Sequence, residues 1–224
     1  MFGVSDNLKD EDRHAYLRER MVNDQLIRRG IRDKAVLHAM RTVPRHRFIP
    51  TRLAGEAYSD TPVPIGVGQT ISQPFVVGSM TEHLALQPND KVLEVGTGCG
   101  YQTAVLAEIT SRVFSLEVLP ELYDRAVAIL RELQYDGVSL RLGDGTLGWP
   151  AEAPFDAIIV TAAAPRVPDE LVAQLAPGGR MVYPLEIAPG HQELVKLINS
   201  PDGLHEEHLY EVRFVPMRGE IERP

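Results

Sequence analysis

From Lys91 to the C-terminus, short apolar runs alternate with segments that have the spacing of amphipathic helices. The apolar runs are KVLEVG, RVFSLE, VSLRLGD, PFDAIIVTAA and GGRMVYPL, and the helix-like segments between them include YQTAVLAEI, PELYDRAVAILREL and PDELVAQL. Such alternation predicts parallel strands joined by right-handed crossover helices. Two further strand-like runs follow with no helix between them. We therefore expect an α/β fold with a doubly wound, mostly parallel sheet that ends in an antiparallel strand pair.

The N-terminal part of the chain has a different character. Apolar residues spaced along residues 9–29 predict a helix that ends at Gly30, and RDKAVLHAMRTVP predicts a second helix that ends before Pro44. Residues 44–74 are rich in proline and glycine and predict loops and turns. Pro74 then opens another helix, at a position where its missing N–H is tolerated.

The length of 224 residues is typical of one large domain. We expect a single domain over residues 1–224, without a second domain boundary after Lys91. Within it, the helical and loop region 1–80 is expected to cover a substrate, and the α/β core 81–224 is expected to bind a cofactor.

Charge and cysteine content limit the classes of partner. A net charge of −8 gives no overall basic face for nucleic acid, although a local basic patch stays open. Cys99 is the single cysteine, which suits a reducing compartment. No apolar run approaches the roughly 18 residues of a membrane helix, and the polar N-terminus is unlike a signal peptide. We expect a cytoplasmic monomer with no nucleic-acid or membrane partner.

A glycine-rich loop follows the first predicted strand of the core and consists of Gly96, Thr97, Gly98, Cys99 and Gly100. Glycines at this place allow a tight turn and let a ligand approach the backbone N–H groups of the next helix. The dinucleotide fingerprint G-x-G-x-x-G would need glycine where Tyr101 stands, so that fingerprint fails.

Glu94 stands two residues before this loop, and its carboxylate would repel a pyrophosphate. S-adenosylmethionine has an ammonium and a sulfonium group and no phosphate, so Glu94 suits its positive end directly or through water. The alternative is a solvated charge that merely ends the strand. Because Leu93 and Val95 beside it are apolar, we favour the ligand interpretation.

Two more acidic residues close the next predicted strands. Glu117 could accept both ribose hydroxyls, with Val118 beside it, and Asp144 could accept from the adenine amino group while the N–H of Gly145 reaches a ring nitrogen. Each alone is typical of a turn. Ligands of open α/β sheets bind beyond the carboxyl ends of the strands, so all are expected at one crevice. From Lys91 to Leu185 the sequence resembles the class I S-adenosylmethionine-dependent methyltransferases, which implies a Rossmann-like fold and that cofactor.

The methyl acceptor is indicated by a polar stretch before the core, in which Gln69, Thr70, Ser72 and Gln73 are uncharged hydrogen-bonding residues. The segment after the fourth strand offers no general base, and the histidines show no metal-ligand spacing, so we expect no metal. A carboxylate acceptor is already ionised at pH 7 and needs no base. Neutral donors could orient such an anion. An alternative role for Ser72 is capping the helix that begins at Pro74.

A closer resemblance is to the protein-L-isoaspartate O-methyltransferase family. The blocks that carry it are Val43–Pro50, Pro64–Pro74, Val92–Ala107, Gly143–Gly145, Ala153–Ala163, Ala176–Leu185 and Val212–Met217. The "GQTISQP" block is distinctive of that family, whereas the glycine loop is shared across the class. The resemblance implies methylation of the free α-carboxylate of isoaspartyl residues in damaged proteins, followed by spontaneous closure of the ester to a succinimide.

The resemblance also implies roles for individual residues. Ser72 is implied to be the active-site serine, which we assign to acceptor positioning because no His/Asp pair is present to activate it. The cofactor is implied to lie beside Gln69, Thr70 and Ile71. The acceptor is implied to contact Thr70, Ser72, Gln73, Val160, Thr161 and Ala163. The tail Val212–Met217 is implied to cover the site.

Two other functions stay open at this point. One is a class I methyltransferase with another carboxylate or a hydroxyl acceptor, which the Thr70–Gln73 block disfavours. The other is a cofactor-binding relative without catalytic activity, which the presence of Ser72, Glu94 and Asp144 disfavours. A nicotinamide dehydrogenase ranks last because of Tyr101 and Glu94.

Overall fold

The structure of the protein is a computed structural model that describes residues 4–220. Its helices are α1 (Val4–Met21), α2 (Lys34–Thr42), α3 (Pro74–Leu84), α4 (Tyr101–Ala107), α5 (Pro120–Glu132) and α6 (Asp169–Ala173). Its strands are β1 (Val63–Gly66), β2 (Gln69–Ile71), β3 (Lys91–Val95), β4 (Arg112–Glu117), β5 (Ser139–Leu142), β6 (Phe155–Val160), β7 (Leu175–Ala188), β8 (His191–Ser200) and β9 (Gly203–Val212).

In this range, the strands of the core form one sheet with the order β5-β4-β3-β6-β7-β8-β9. Neighbouring strands from β5 to β7 are parallel, whereas β8 is antiparallel to both β7 and β9. The four residues Val92 to Val95 of β3 are all buried, as expected for a central strand covered on both faces. The predicted doubly wound sheet and its closing antiparallel pair are confirmed.

After β5 the chain crosses to the other half of the sheet, so the strand order reverses between β3 and β6. From β3, the strands β4 and β5 run outward on one side, and β6 returns to the other side of β3. The loops that leave the carboxyl ends of β3 and β6 therefore diverge and open a crevice between them. This topology sets the place of the candidate site.

The N-terminal helices follow the predicted pattern, although α1 begins earlier in the chain, at Val4. After α1 the chain continues through a π-helical turn (Val22–Leu26) and a 3-10 turn (Ile27–Arg29), and stops at Gly30, whose φ of 106° is left-handed. The carboxylate of Asp33 caps α2 by accepting hydrogen bonds from two backbone N–H groups. Among residues 4–220, no helix has both the length and the apolar composition needed to cross a membrane.

The segment before α3 is more ordered than its sequence predicts. Residues 45–48 and 51–56 form 3-10 helices, and β1 and β2 pair as an antiparallel hairpin in which Val63 lies opposite Ile71. The prediction of loops and turns alone was wrong for this hairpin. Its strands are only four and three residues long, and the burial of Val63, Ile65 and Ile71 in the core stabilises them. The residues that bury these side chains are far away in the sequence, so the local sequence pattern does not show the hairpin.

One hydrophobic cluster joins the N-terminal region to the helices of the core. It includes Met40 of α2, Ile65 and Ile71 of the hairpin, Tyr101 of α4 and Leu130 of α5. Burial of this apolar surface is the main force that holds the hairpin beside α4. The hairpin is thereby placed next to the crevice at the carboxyl edge of the sheet.

Candidate active site

A cavity, here called the first cavity, opens at the carboxyl ends of β3 and β4 between the glycine loop, the hairpin and α3. The space between its walls, counted together with the open solvent at its entrance, is about 910 Å³. The residues predicted from sequence that line it are Gln69, Thr70, Ile71, Ser72, Gly96, Thr97, Gly98, Glu117, Val118, Gly145 and Thr161. Two long stretches of the chain that are distant in sequence thus meet at one cavity.

The glycine loop is held in place from both sides. Backbone N–H groups of Gly96 and Thr97 donate to the carbonyl of Leu116, at 2.8 and 3.1 Å, which ties the loop to β4. The hydroxyl of Thr161 donates to the carbonyl of Gly96 at 2.7 Å, which ties the loop to the end of β6. Gly96 has a φ of 98°, and a β-carbon there would lie 2.4 Å from Oγ1 of Thr161. The position therefore requires glycine both for its backbone angle and for its close packing.

Glu117 forms part of the wall of the first cavity. One carboxylate oxygen accepts from the N–H of Gly98 at 2.7 Å, and the other accepts from the N–H groups of Val118 and Leu119 at 3.0 and 2.9 Å. A carboxylate has about four lone-pair sites, so acceptor capacity remains for a ligand hydroxyl. Its contacts also fix the carboxylate against the glycine loop.

Glu94 lies in a different environment from the one its sequence position predicts. Its side chain is fully buried and is not part of the wall of either cavity described here. One oxygen accepts from the hydroxyls of Thr103 and Ser115, at 2.5 and 2.7 Å, and the other has no partner among the described residues. Burial raises the pKa of Glu94 to about 8, against the lowering effect of these two hydrogen bonds.

A chain of hydroxyls connects Glu94 with the first cavity. Ser115, which donates to Glu94, also shares a hydrogen bond of 2.6 Å with the hydroxyl of Thr97, and Thr97 lines the cavity. The simple alternative of a solvated charge at the strand end does not match this buried position. Direct or water-mediated contact between Glu94 and a cofactor stays a prediction.

Asp144 and Gly145 differ in their relation to the cavity. Gly145 lines it, and a β-carbon there would lie 2.4 Å from Val95, so the backbone approaches β3 closely. The carboxylate of Asp144 accepts from the N–H and hydroxyl of Thr146, at 2.9 and 2.7 Å, and from the N–H of Glu220 at 2.8 Å. In this conformation Asp144 ties the C-terminal tail to the turn after β5.

A second cavity adjoins the first. Four residues line both of them, namely Thr70, Ser72, Thr161 and Val215. The other residues of its wall include Arg29, Gln73, Phe75, Tyr210, Arg213 and Phe214. The predicted polar stretch therefore lies at the boundary between two cavities, a suitable arrangement for two reactants that must meet.

The polar groups at this boundary are not equivalent. Thr161 donates its hydroxyl to backbone carbonyls of Val95 and Gly96, and the Gln73 amide donates to the carbonyl of Asp60 at 3.0 Å. By contrast, the hydroxyls of Thr70 and Ser72 form no hydrogen bond with any of residues 4–220. The capping alternative for Ser72 is also not observed, since Gln73 occupies the N-cap of α3 and no side chain caps it. These two hydroxyls are available to a ligand.

Some predicted residues do not reach either cavity. Val160 and Ala163 are buried, and Gly100 caps the start of α4 at a φ of 88° without lining the wall. Ala163 instead pairs with the tail, because its N–H donates to Val215 and its carbonyl accepts from Met217. Other wall residues were missed by sequence reasoning: Ile65, Val77, Met80 and Arg218 in the first cavity, and Arg29, Phe75 and Tyr210 in the second. The apolar run of α3 was the available signal for Val77 and Met80.

The first cavity fits S-adenosylmethionine on three observations. The carboxylate of Glu117 in its wall disfavours a pyrophosphate and favours hydroxyls or a cation. Ile65, Val77 and Met80 give it an apolar wall, which suits a flat aromatic ring. Burial raises the pKa of the Cys99 thiol to about 11, so this wall residue stays neutral and does not compete for a methyl group. Among the described residues, no group of metal-ligand side chains is close enough together to bind a metal ion.

Comparison with known proteins agrees with this geometry. The sequence profile of the protein-L-isoaspartate(D-aspartate) O-methyltransferase family matches residues 17–222. The chain is 53% identical to protein-L-isoaspartate O-methyltransferase 1 of Syntrophobacter fumaroxidans over 90% of this chain and 94% of that protein. It is 50% identical to the Gloeobacter violaceus protein-L-isoaspartate O-methyltransferase, over 89% and 98% of the two chains.

Solved structures show the same similarity. One protein-L-isoaspartate O-methyltransferase superposes with a TM-score of 0.82 at 26% identity, over 91% of this chain and 67% of that one. A Plasmodium falciparum protein described as a protein-L-isoaspartate O-methyltransferase, solved in complex with S-adenosyl-L-homocysteine, superposes with a TM-score of 0.78 at 28% identity. That match covers 89% of this chain and 97% of the other.

Proposed function

The chain belongs to the protein-L-isoaspartate(D-aspartate) O-methyltransferase family, and from this premise we propose how its residues perform the reaction. It is an S-adenosylmethionine-dependent enzyme of protein repair, which methylates the α-carboxylate of L-isoaspartyl residues. One observation carries the proposal for the site: Thr70 and Ser72, with free hydroxyls among the described residues, stand at the boundary of two adjoining cavities.

We assign the cofactor to the first cavity. The residues that would hold it are Glu117, the glycine loop, and the hairpin residues Gln69 to Ile71, which all line that cavity. When bound, S-adenosylmethionine supplies an electrophilic methyl group. Glu117 is already fixed by three backbone N–H groups, so it is preorganised to accept hydroxyls.

We assign the isoaspartyl residue to the second cavity. Its carboxylate is ionised at neutral pH, so the enzyme needs no general base. The hydroxyls of Thr70 and Ser72 donate to this anion and aim it across the boundary, whereas Thr161, whose hydroxyl is engaged by backbone carbonyls, shapes the wall. Neutral donors orient a carboxylate without binding it as tightly as a cation would, which leaves it reactive.

The region 1–80 is proposed to cover the substrate. The hairpin contributes to both cavities, and Arg29 and Pro62 of the same region line the second one. On the opposite side, the tail closes over the site because Val215 and Met217 pair with the backbone of Ala163. A reactant at the boundary is thereby enclosed between these two segments.

We further propose a cytoplasmic monomer that acts on polypeptides and takes neither nucleic acid nor a membrane as partner. The net charge of −8 and the single, buried Cys99 support this assignment. Light scattering after gel filtration should give the mass of one 24.9 kDa chain. A mass of twice that value would contradict the monomer.

The test of the function is transfer of labelled methyl from S-adenosylmethionine to two synthetic peptides that differ only in an aspartyl or isoaspartyl linkage. We expect base-labile label on the isoaspartyl peptide alone. Equal label on both peptides, or none on either while S-adenosylhomocysteine still binds, would overturn the assignment of the second cavity to isoaspartyl residues. A hydroxyl or other carboxylate acceptor would then replace it.

A further inference from the structure

Arg45 is a fully buried cation that no step of the proposed reaction uses. Its side chain is 0% exposed, and it lies in the 3-10 turn Arg45–Phe48. Its Nε donates to the carbonyl of Ala57 at 2.6 Å, and its Nη2 donates to the carbonyl of Ser72 at 2.7 Å. No carboxylate among residues 4–220 pairs with it. Arg45 therefore connects the turn directly to the backbone of the serine at the cavity boundary.

The remaining contacts of Arg45 also indicate that it holds other groups in place. The guanidinium lies over the ring of Tyr101, 4.8 Å from its centroid, and Tyr101 begins α4 directly after the glycine loop. Nη1 is buried without a partner among the described residues, and burial lowers the pKa of the arginine. A buried charge with only neutral partners is a poor source of stability. The rigid planar fork, however, can hold two carbonyls and a ring in one fixed arrangement, as lysine cannot.

A second contact holds the neighbouring residue from the same segment. The side-chain amide of Gln73 donates to the carbonyl of Asp60 at 3.0 Å, and Asp60 follows Ala57 by three residues. Ser72 and Gln73 are thus anchored side by side to the segment that precedes the hairpin. Since the Ser72 hydroxyl itself has no partner among the described residues, its position depends on these anchors.

We propose that Arg45 is a positioning residue for methyl transfer, which fixes the Ser72 backbone so that its hydroxyl meets the acceptor carboxylate. This inference rests on the proposed role of Ser72. It does not assign Arg45 any contact with substrate. Loss of the fork should leave the fold and the cofactor site intact and misplace one donor.

The test compares Arg45→Lys and Arg45→Met with the wild-type enzyme. Lysine keeps the charge, and methionine keeps much of the volume without the charge. Arg47→Met is the matched control, since Arg47 lies in the same turn and pairs with Glu132 on the surface. Because misplacement of a reacting group by about 1 Å can reduce a rate about 100-fold, we expect both Arg45 variants to lose about 10- to 100-fold in kcat/KM for the isoaspartyl peptide. The Kd for S-adenosylhomocysteine should stay close to that of Arg47→Met.

A double-variant cycle separates positioning from a general loss of stability. If Arg45 acts through Ser72, adding Arg45→Lys to Ser72→Ala should reduce kcat/KM little further. If the losses in kcat/KM of the two single variants instead multiply in the double variant, the proposal is overturned. Wild-type kinetics in both Arg45 variants would also overturn it. So would a loss of affinity for S-adenosylhomocysteine as large as the loss in kcat/KM, or failure of both Arg45 variants to fold. A wild-type enzyme that ignores the isoaspartyl peptide would instead contradict the function itself, whatever the Arg45 variants do.

Discussion

Oγ1 of Thr161 lies only 2.4 Å from the position that a β-carbon on Gly96 would occupy. The same hydroxyl donates to the carbonyl of Gly96, so the ends of β3 and β6 are bound together at the point where the two cavities meet. The absence of a side chain at residue 96 is thus a condition for the shape of the site.

Gly96→Ala should destabilise the fold and weaken cofactor binding. A left-handed backbone at a non-glycine residue costs about 1–2 kcal/mol, and displacement of the Thr161 side chain adds about 1–3 kcal/mol. Urea unfolding and calorimetric titration with S-adenosylhomocysteine measure the two effects. Gly137→Ala is the control, because a β-carbon at that position would meet nothing within 4 Å. Equal behaviour of the two variants would show that the Gly96 contact has no role.

Ser72→Ala should lower kcat/KM for an isoaspartyl peptide by about 100-fold, the usual loss for one preorganised donor. Binding of S-adenosylhomocysteine should change little, because Ser72 is one of many residues in the first cavity. Radiolabelled methyl transfer and calorimetry give the two values. The exposed Ser59, replaced by alanine, serves as control. Undiminished turnover of Ser72→Ala would remove Ser72 from the mechanism.

Glu94→Gln should change how stability depends on pH. The pKa of Glu94 is raised from 4.5 to about 8, so in this window the folded chain holds a proton that the unfolded chain has lost. The wild type therefore loses stability as pH rises from 4.5 to about 8. The glutamine variant lacks this loss, so urea midpoints of the two proteins should converge toward low pH and separate toward pH 8. A constant difference across this range would contradict a buried, protonated Glu94.

The titration of His46 should lower the stability of the fold as pH falls, whereas that of Glu94 lowers it as pH rises. The rings of His46 and His14 of α1 are stacked with their centroids 3.9 Å apart, and Nδ1 of His46 shares a hydrogen bond of 2.8 Å with the hydroxyl of Tyr58. Burial lowers the pKa of His46 from 6.5 to about 4. The unfolded chain binds a proton in this window that the folded chain does not, so stability is lost as pH falls through it.

His46→Phe keeps a flat ring and removes this titration. Thermal unfolding of both proteins between pH 6.5 and about 4 should show a smaller decline in the variant. Phe48→Leu, two residues along the same turn, controls for loss of ring packing without a titrating group. A decline in His46→Phe as steep as that of the wild type would place the acid-sensitive group elsewhere.

Much of the core fold could be predicted from local sequence patterns. Continuous apolar runs such as that of β3 and amphipathic spacing such as that of α5 are set by residues close together in the chain. The topological rule for α/β sheets then places Glu117 and the glycine loop at the carboxyl edge, which the first cavity confirms. The cofactor and the family could also be predicted from the sequence, because the motifs that indicate them are contiguous.

The acceptor side could be predicted only in part. The polar stretch that includes Thr70 and Ser72 was identified, but the hairpin that presents it was not, because its short strands depend on burial of Ile65 and Ile71. Nor does any pattern show that Gln73 is engaged by Asp60 while Ser72 stays free.

Long-range contacts account for what the sequence left open. Glu94 and Asp144 were placed correctly at strand ends, but the direction of each side chain depends on partners far along the chain, Ser115 for one and the backbone of Glu220 for the other. The contact between Arg45 and Ser72 likewise spans 27 residues. Local propensity fixes where a residue sits in its own element, whereas packing between elements decides which atoms it faces.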